Sequence, residues 1–417
     1  DFLKRARDAI NPAVDEADVQ EMLIQHILTE DIFAKVFENP DFHRQNNIAA
    51  ELYKLEAKLF GGGERARLLH ALRPYYAGIQ STAALISSHS EKQGFLKALY
   101  ENFYKVYNPK AADKLGVVYT PGEIVRFMIR SADWLCEKHF GKNLIDKDVD
   151  ILDPATGTGT FICELLEHFR GQPKKLEHKY RHELHANEVA ILPYYVANLN
   201  IEATYAAITG QFAEYPNLCF VDTLDNVAAL GKYAGYTDDF FGGTSDENMG
   251  RIKRQNERKI SVIIGNPPYN ANQQNENDNN KNRAYAHMDA RIKNTYIKAS
   301  TAQKTKMYDM YIRFFRWASD RLGDEGIVAF ITNRSFLDAH MADGFRRTVA
   351  EDFAEGWVID LGGDYKKKGD GGSGNVFGIG TGVAISFWIK RKNSKGSIEL
   401  SYFAAPGGTG EEKLSWL

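Results

Sequence analysis

From residue 15 to residue 37, DEADVQEMLIQHILTEDIFAKVF, apolar side chains return at steps of three and four: Val19, Met22, Leu23, Ile27, Leu28, Ile32, Phe33 and Val36. That spacing keeps one side of a 3.6-residue helix apolar. Asp15 or Asp18 supplies its N-cap. Similar spacing runs through 47–60, 67–87 and 94–107, and GGGE at 61–64 separates 47–60 from 67–87. No run in 1–110 reads as a strand. This part is expected to be a helical bundle that acts as scaffold or connector rather than catalyst.

From about 111 the texture changes. Short apolar runs alternate with helical periods: VDIL at 149–152, ELHAN at 183–187, LCFV at 218–221, SVII at 261–264, GIVAFI at 326–331, GWVIDL at 356–361 and GVAISFWI at 382–389. Strand–helix alternation predicts an α/β sheet with helices on both faces. The last runs lie close together, which predicts an antiparallel hairpin at one edge. No internal repeat is present. Residues 270–306 are the one low-complexity stretch, and GGDYKKKGDGGSG at 362–374 reads as a loop.

Size and composition narrow the picture. A chain of 417 residues suggests two units and a tail. At 43% hydrophobic and 26% charged, a core of normal size forms and wholesale disorder does not. The net charge of −3 gives no general positive coat, although a local basic groove suffices for nucleic acid. Cys136, Cys163 and Cys219 are odd in number and far apart, with no CxxC or Cys/His cluster. Neither a disulfide framework nor a metal site is expected, and a reducing cytoplasm fits. No run reaches the roughly 18–20 apolar residues of a membrane span and no signal peptide opens the chain, so no membrane partner is expected. A chain that begins at Asp1 and stops at EEKLSWL reads as a piece of a longer polypeptide.

The chemistry begins at ILDPATGTGTF, 151–161, where a strand runs into a helix. Gly157 and Gly159 let the backbone turn tightly and come close to a ligand. Two familiar sites do not fit. The dinucleotide fingerprint wants a third glycine where Ile162 stands, and carries no Asp-Pro before its loop. The P-loop wants Gly-Lys-Ser/Thr, which the chain lacks. Asp153 is placed to meet a cationic ammonium rather than a phosphate. Further on, VIIGNPPYN at 262–270 ends an apolar run in an amide, two prolines and a phenol. A turn needs one proline, not two.

The series Asp153-Pro154-Ala155-x-Gly157-x-Gly159-x-Phe161, followed by Asn266-Pro267-Pro268-Tyr269, resembles the motif pair of amino-group DNA methyltransferases that use S-adenosylmethionine. GVVYTPGEIVRFMI at 116–129, with Tyr119, Thr120 and Pro121, resembles the family's other cofactor motif. Taken alone, YTP is a helix start, with Thr120 as cap and Pro121 in the first turn. Cofactor motifs before the catalytic motif is the gamma-class order, mostly adenine-N6 enzymes. The resemblance implies a Rossmann-like methyltransferase sheet over about 111–391, an S-adenosylmethionine cofactor and DNA as substrate. Glu188, at the next acidic strand end, can accept both ribose hydroxyls. It lies 35 residues beyond Asp153, and GQPKKLEHKYRH reads as the insertion behind that delay. By the same resemblance Asp222 accepts from the exocyclic amine of the cofactor's adenine.

An exocyclic adenine nitrogen is a poor nucleophile because its lone pair is delocalised into the ring. Two acceptors aimed at its hydrogens, the Asn266 side-chain oxygen and the Pro267 carbonyl, help it rehybridise, and the prolines stiffen the turn. Tyr269 is expected to stack on a base taken out of the duplex. The segment 374–391 resembles the family element that supplies the opposite stacking face, with Phe377 as the match. Lys281, Arg283, Arg291, Lys293, Lys298, Lys304 and Lys306 outnumber Glu276, Asp278 and Asp289 within 270–306, which suits a passing phosphate backbone. Pro40-Asp41 with Glu56-Ala57-Lys58 mimics a nuclease motif, but the second part has helical periodicity where a strand is needed.

The longer pattern is similar to the coupler and modification region of type ISP, single-polypeptide, restriction–modification enzymes. That likeness implies a connector over 1–110, a methyltransferase over 111–391 and, at 392–417, the start of a target-recognition domain or a linker. Nuclease, motor and target-recognition parts are then expected elsewhere on the polypeptide, with double-stranded DNA as partner. Other readings stay open: a glutamine-amide protein methyltransferase, the modification subunit of a type I system, a silent DNA-coupling module, and cytosine N4 as the methylated atom.

Overall fold

The structure is a computed structural model and describes residues 2–36, 46–61, 63–86, 91, 94–95, 98–99, 120–226, 245–268, 284–301, 307–364, 374–392 and 398–417. Helices α1 (Phe2–Ala9), α2 (Glu16–Val36), α3 (Asn47–Leu59), α4 (Glu64–Leu68) and α5 (Arg73–Ala84) come first. Then follow α6 (Gly122–Phe140), β1 (Asp150–Asp153), α7 (Thr160–His168), α8 (Pro173–His178), β2 (Leu184–Glu188), α9 (Ile191–Thr209), β3 (Leu218–Phe220), α10 (Ser245–Glu257) and β4 (Ile260–Gly265). The last part holds α11 (Ala286–Ile292), α12 (Met310–Arg321), β5 (Gly326–Asn333), α13 (Asp343–Asp352), β6 (Glu355–Gly362), β7 (Val383–Lys390), β8 (Glu399–Ala404) and α14 (Gly410–Trp416). Among these described helices, none is long and apolar enough to cross a membrane.

Among the described residues, eight strands form one sheet in the order β3-β2-β1-β4-β5-β7-β6-β8. All seven apolar runs of the sequence are strands. β1, β4 and β5 are parallel neighbours, and so are β2 and β3. β7 runs antiparallel to both β5 and β6. The expected antiparallel pair therefore exists, but not at an edge, because β8 pairs with β6 in parallel and lies outside it. β8 was hidden from pattern reading because nearly all of its side chains are exposed and it carries no buried alternation. The first seven residues of both β5 and β7 are buried. Successive side chains point to opposite faces, so both faces of the sheet are covered there. The fold is an α/β, Rossmann-like open sheet with helices on both faces, preceded in the chain by a helical region.

The chain divides into two compact units. The first comprises Asp1–Phe103, Gly157–Gly159 and Ala186–Glu257. Within it the early helices pack on α9. His26 Nδ1 of α2 lies 3.0 Å from the Tyr195 hydroxyl, and the Tyr194 hydroxyl donates to Asn47 Oδ1 at 2.7 Å. Asn46 caps α3, accepting from Ile48 and Ala49, and its amide donates to Asn198 at 2.9 Å. α9 is buried on nearly every side, which is why ILPYYVANLNIEATYAAIT shows no polar stripe.

The second unit comprises Tyr104–Thr156, Thr160–His185 and Arg258–Leu417. α6 and α12 both pack on β5. Phe315 meets Phe330, Phe336 and Phe345 edge-on at 5.3–5.8 Å between ring centres. Burying one such ring contributes about 2–3 kcal/mol. The polar run 171–182 is more than a solvated insertion. It forms α8 and a π-turn at 179–183, where buried Lys179 pairs with Glu183 at 2.7 Å and donates to the Val149 carbonyl. Residues 399–417, read from sequence as linker or further domain, carry β8 and α14 inside this unit.

Candidate active site

In the second unit, β1 and β4 are parallel neighbours with Leu152 opposite Ile263. β1 has β2 on its other side, so the order of strands reverses between β1 and β4. Ligands of α/β sheets sit outside the carboxyl ends of strands at such a reversal. Asp153 ends β1 and Asn266 follows β4. The two motifs touch through Gly265: a Cβ there would lie 2.7 Å from Asp153 Oδ1 and 3.4 Å from Pro154 Cδ. Only glycine lets the strand ends come this close. Asp153 is fully buried, and its Oδ1 accepts from the Ala155 N–H at 3.2 Å, folding the chain back across Pro154.

Asn266 donates through Nδ2 to Thr120 Oγ1 at 3.0 Å. Its Oδ1 is buried and has no hydrogen-bond partner among the described residues. Thr120 was expected to cap α6. Instead Pro121 holds the N-cap position, its carbonyl accepting from Val125 N–H at 3.2 Å, and the Thr120 hydroxyl serves the asparagine. Pro267 is buried and Pro268 half-buried. Thr156 Oγ1, next to the glycine turn, is a second buried oxygen without a partner among the described residues. Phe161 is buried at the start of α7 and is a core residue. Tyr119 and Tyr269 lie outside the described residues.

In the first unit, Gly157 and Gly159 have φ of 55° and 86°, the left-handed region where other residues are strained. A Cβ on Gly159 would also lie 3.2 Å from Ala197 Cα on α9, whereas one on Gly157 would meet nothing within 4 Å. The space beside Gly157 suits close approach of a ligand. Glu188 is not a solvated strand end. It is buried, with Oε2 accepting from Gly157 N–H at 2.9 Å and Oε1 from Val189 and Ala190 N–H at 2.9 and 2.8 Å. Burial pushes its carboxyl up to about 7 although those three donors pull the other way. Asp222 is buried too; its Oδ1 accepts from Leu224 N–H at 3.1 Å, and its own N–H donates to the Ile10 carbonyl after α1.

Phe377 is half-buried after the glycine-rich segment, with its N–H donating to Asn375 Oδ1 at 2.9 Å. Of the basic stretch 270–306, the described residues 284–301 are mainly helical. Met288, Ile292, Tyr296 and Ile297 of α11 and the following π-turn are buried, Arg291 is paired with Asp320 at 2.7 Å, and Lys293 and Lys298 are exposed. Lys281, Arg283, Lys304 and Lys306 fall outside the described residues. Sequence reading missed a buried cluster on the first unit's helices: His26, Glu30 and Glu56 have ligand-type atoms within 4.8 Å of one another. Arg65 reaches Glu30 at 2.7 Å and Glu56 at 2.8 Å, so a guanidinium supplies the positive charge there. The same pairing gives Glu56, on helix α3, a structural role in place of the nuclease motif it mimics.

Comparison with known proteins carries this geometry further. The model of the Eco57I restriction-modification methylase matches residues 143–366, and that of the Type ISP restriction-modification enzyme coupler domain matches 1–91. A cryo-EM structure of a DrdV–DNA complex is 52% identical over 100% of this chain and 40% of that one, with a TM-score of 0.90. The ATP-dependent Type ISP enzyme LlaBIII bound to DNA is 34% identical over 99% of this chain and 29% of its own, with a TM-score of 0.87. A nuclease-deletion mutant of the Type ISP enzyme LlaGI, with a DNA substrate mimic, is 34% identical over 100% and 34%, with a TM-score of 0.87. The chain thus spans less than half the length of each of these. No curated protein matches it. With a methylase model matching more than half of its residues and relatives of 34% identity or more along its length, the chain belongs to the Eco57I restriction-modification methylase family, in its Type ISP branch.

Proposed function

We propose that the chain is the coupler and methyltransferase part of a single-polypeptide restriction–modification enzyme, and that it methylates the exocyclic N6 of an adenine swung out of DNA. The observation that carries this reading is Asn266, whose buried Oδ1 has no partner among the described residues and whose Nδ2 is tied to Thr120, at a strand end in contact with Asp153. S-adenosylmethionine fits the residues present: in the first unit the open side of Gly157 and the buried acids Glu188 and Asp222, and in the second unit the buried Asp153 carboxylate and Thr156 hydroxyl. Asp153 would hold its ammonium, Glu188 its ribose hydroxyls and Asp222 its adenine amine, with Pro154, Ala155, Gly157 and Gly159 forming the turn around it. When bound, the cofactor supplies an activated methyl group on a sulfonium.

The chain's own residues then do the positioning. Thr120 ties down the Asn266 amide nitrogen, which leaves the amide oxygen for the substrate. That oxygen and the Pro267 carbonyl accept the two amine hydrogens and release the nitrogen lone pair from the ring. Tyr269 and Phe377 hold the base by stacking. The amine proton becomes acidic once nitrogen carries the new bond, so no strong base is required. Loss of the Asn266 oxygen removes an acceptor used only in the transition state, which costs about 100–1,000-fold in kcat.

DNA as partner draws support from the relatives solved with DNA. The motor, nuclease and target-recognition parts belong to the longer polypeptide, and the reducing cytoplasm is its setting. Nucleoside mass spectrometry on DNA methylated by the full-length protein decides the central point. N6-methyladenine is expected, and Asn266→Ala should form it about 100–1,000-fold more slowly while cofactor binding persists. N4-methylcytosine, or label transferred to a protein amide instead of DNA, would overturn the substrate assignment.

A further inference from the structure

The segment that carries Phe377 is glycine-rich, with Gly374, Gly378, Gly380 and Gly382 around it, and such backbone does not hold one conformation unaided. Two side chains brace it. Asn375 is buried, and all four hydrogen-bonding positions of its amide are used. Nδ2 donates to the Gly363 carbonyl at 3.0 Å and the Thr381 carbonyl at 2.8 Å. Oδ1 accepts from the N–H of Phe377 at 2.9 Å and of Ile379 at 3.2 Å. The packing leaves no slack. A Cβ on Gly363 would lie 2.7 Å from Asn375 Cα, and one on Gly410 would lie 2.7 Å from the Asn375 carbonyl oxygen.

A second clamp comes from α14. Lys413 is buried and its Nζ donates to the Leu361 carbonyl at the end of β6 and to the Gly374 carbonyl, both at 2.8 Å. α14 is itself anchored by a capping box between Thr409 and Glu412. A lysine taken out of water to satisfy two carbonyls is an expensive way to hold ordinary structure. Gly374 opens the Phe377 segment and Leu361 lies before it on β6; the segment itself lies beyond the methylase match at 143–366.

We propose that Asn375 and Lys413 are positioning residues for the target base: they hold the 374–381 segment so that Phe377 presents a fixed stacking face. The inference rests on the reading of Phe377 as that face. The test uses the full-length protein, methyl-free genomic DNA and tritiated S-adenosylmethionine. Phe377→Ala should lower kcat about tenfold or more, and Asn375→Ala should do the same, each with cofactor Kd unchanged. The double variant should be no more than about threefold slower than the slower single one, because residues acting through one another are not additive. Lys413→Met, which keeps the stem and removes the N–H donors, should behave like Asn375→Ala.

A full rate for Asn375→Ala, or losses that multiply in the double variant, would overturn the clamp while leaving Phe377 its role. A full rate for Phe377→Ala overturns the stacking face and the clamp with it; the methyltransferase reading survives if Asn266→Ala is still slowed about 100–1,000-fold. Should Asn375→Ala lose cofactor binding, Lys413→Met is read by the same criteria. Loss of cofactor binding in both overturns the proposal, since the groups then support the whole unit and not the loop.

Discussion

At the scale of single residues, the site is legible where a residue type and a short spacing carry the chemistry. Two glycines with positive φ, an aspartate at a strand end and an asparagine before two prolines are local statements, and the structure brings Asp153 and Asn266 together at Gly265. Their supports are not local. Thr120 meets Asn266 across 146 residues and Glu188 meets Gly157 across 31, so no spacing announces either bond. Nor does sequence announce that Glu188 is buried, and this has a consequence for pH. Its folded carboxyl, pushed up to about 7, favours the neutral form, so the stability it contributes is complete below its unfolded value of 4.5 and is lost as pH rises through 7. Ribose hydroxyls donate best to the ionised form. Cofactor affinity should therefore tighten about tenfold from pH 6 to pH 8, and calorimetry of Glu188→Gln should show a weaker, flat profile. A wild-type affinity that does not vary over this range would remove the carboxylate from the ribose site.

Elements were readable in proportion to how fully they are buried. The strongly apolar runs all became strands, and the three- and four-residue periodicity of 15–37 and 47–60 became α2 and α3 within a residue or two. β8 escaped because an exposed edge strand is held by backbone pairing with β6, which leaves no mark on side-chain type. α9 shows the opposite limit, since a helix buried all round has no polar face to reveal its partners. Its contact with the glycine turn yields a test. Gly159→Ala adds a methyl 3.2 Å from Ala197 Cα and 3.3 Å from its carbonyl, at a φ of 86°. Left-handed strain of about 1–2 kcal/mol combines with overpacking of about 1–3 kcal/mol. Thermal unfolding should shift down accordingly, with cofactor binding impaired in the surviving folded protein. Gly157→Ala meets no neighbour and should show the strain part alone. Equal losses of stability at the two positions would contradict the close approach of turn and helix.

At the scale of the molecule, the change of texture near residue 111 marks where helices give way to strands, and that differs from where compact units divide. The first unit joins Asp1–Phe103 to Ala186–Glu257, so helices from before the change share a core with β3, α9 and α10 from after it. The joining contacts are specific: His26 with Tyr195, Asn46 with Asn198, Asn47 with Tyr194, and the Ile10 carbonyl with the N–H of Asp222. Tyr194 and Tyr195 are fully buried in that core. A chain cut to 111–417 would uncover both rings, of about 150–250 Å² each, and would leave Asn198 and the Asp222 N–H without these partners. Such a fragment is expected to bind a hydrophobic dye, to self-associate and to lose cofactor affinity, although it contains every motif of the cofactor and catalytic series. Supplying 1–110 as a separate chain should restore part of the affinity, because the missing surface is a helical face and not a reacting group. A fragment 111–417 that stays monomeric, melts cooperatively and binds the cofactor as the longer chain does would mean that these helices only connect. The loss expected here makes them instead one wall of the body that holds Glu188 and Asp222.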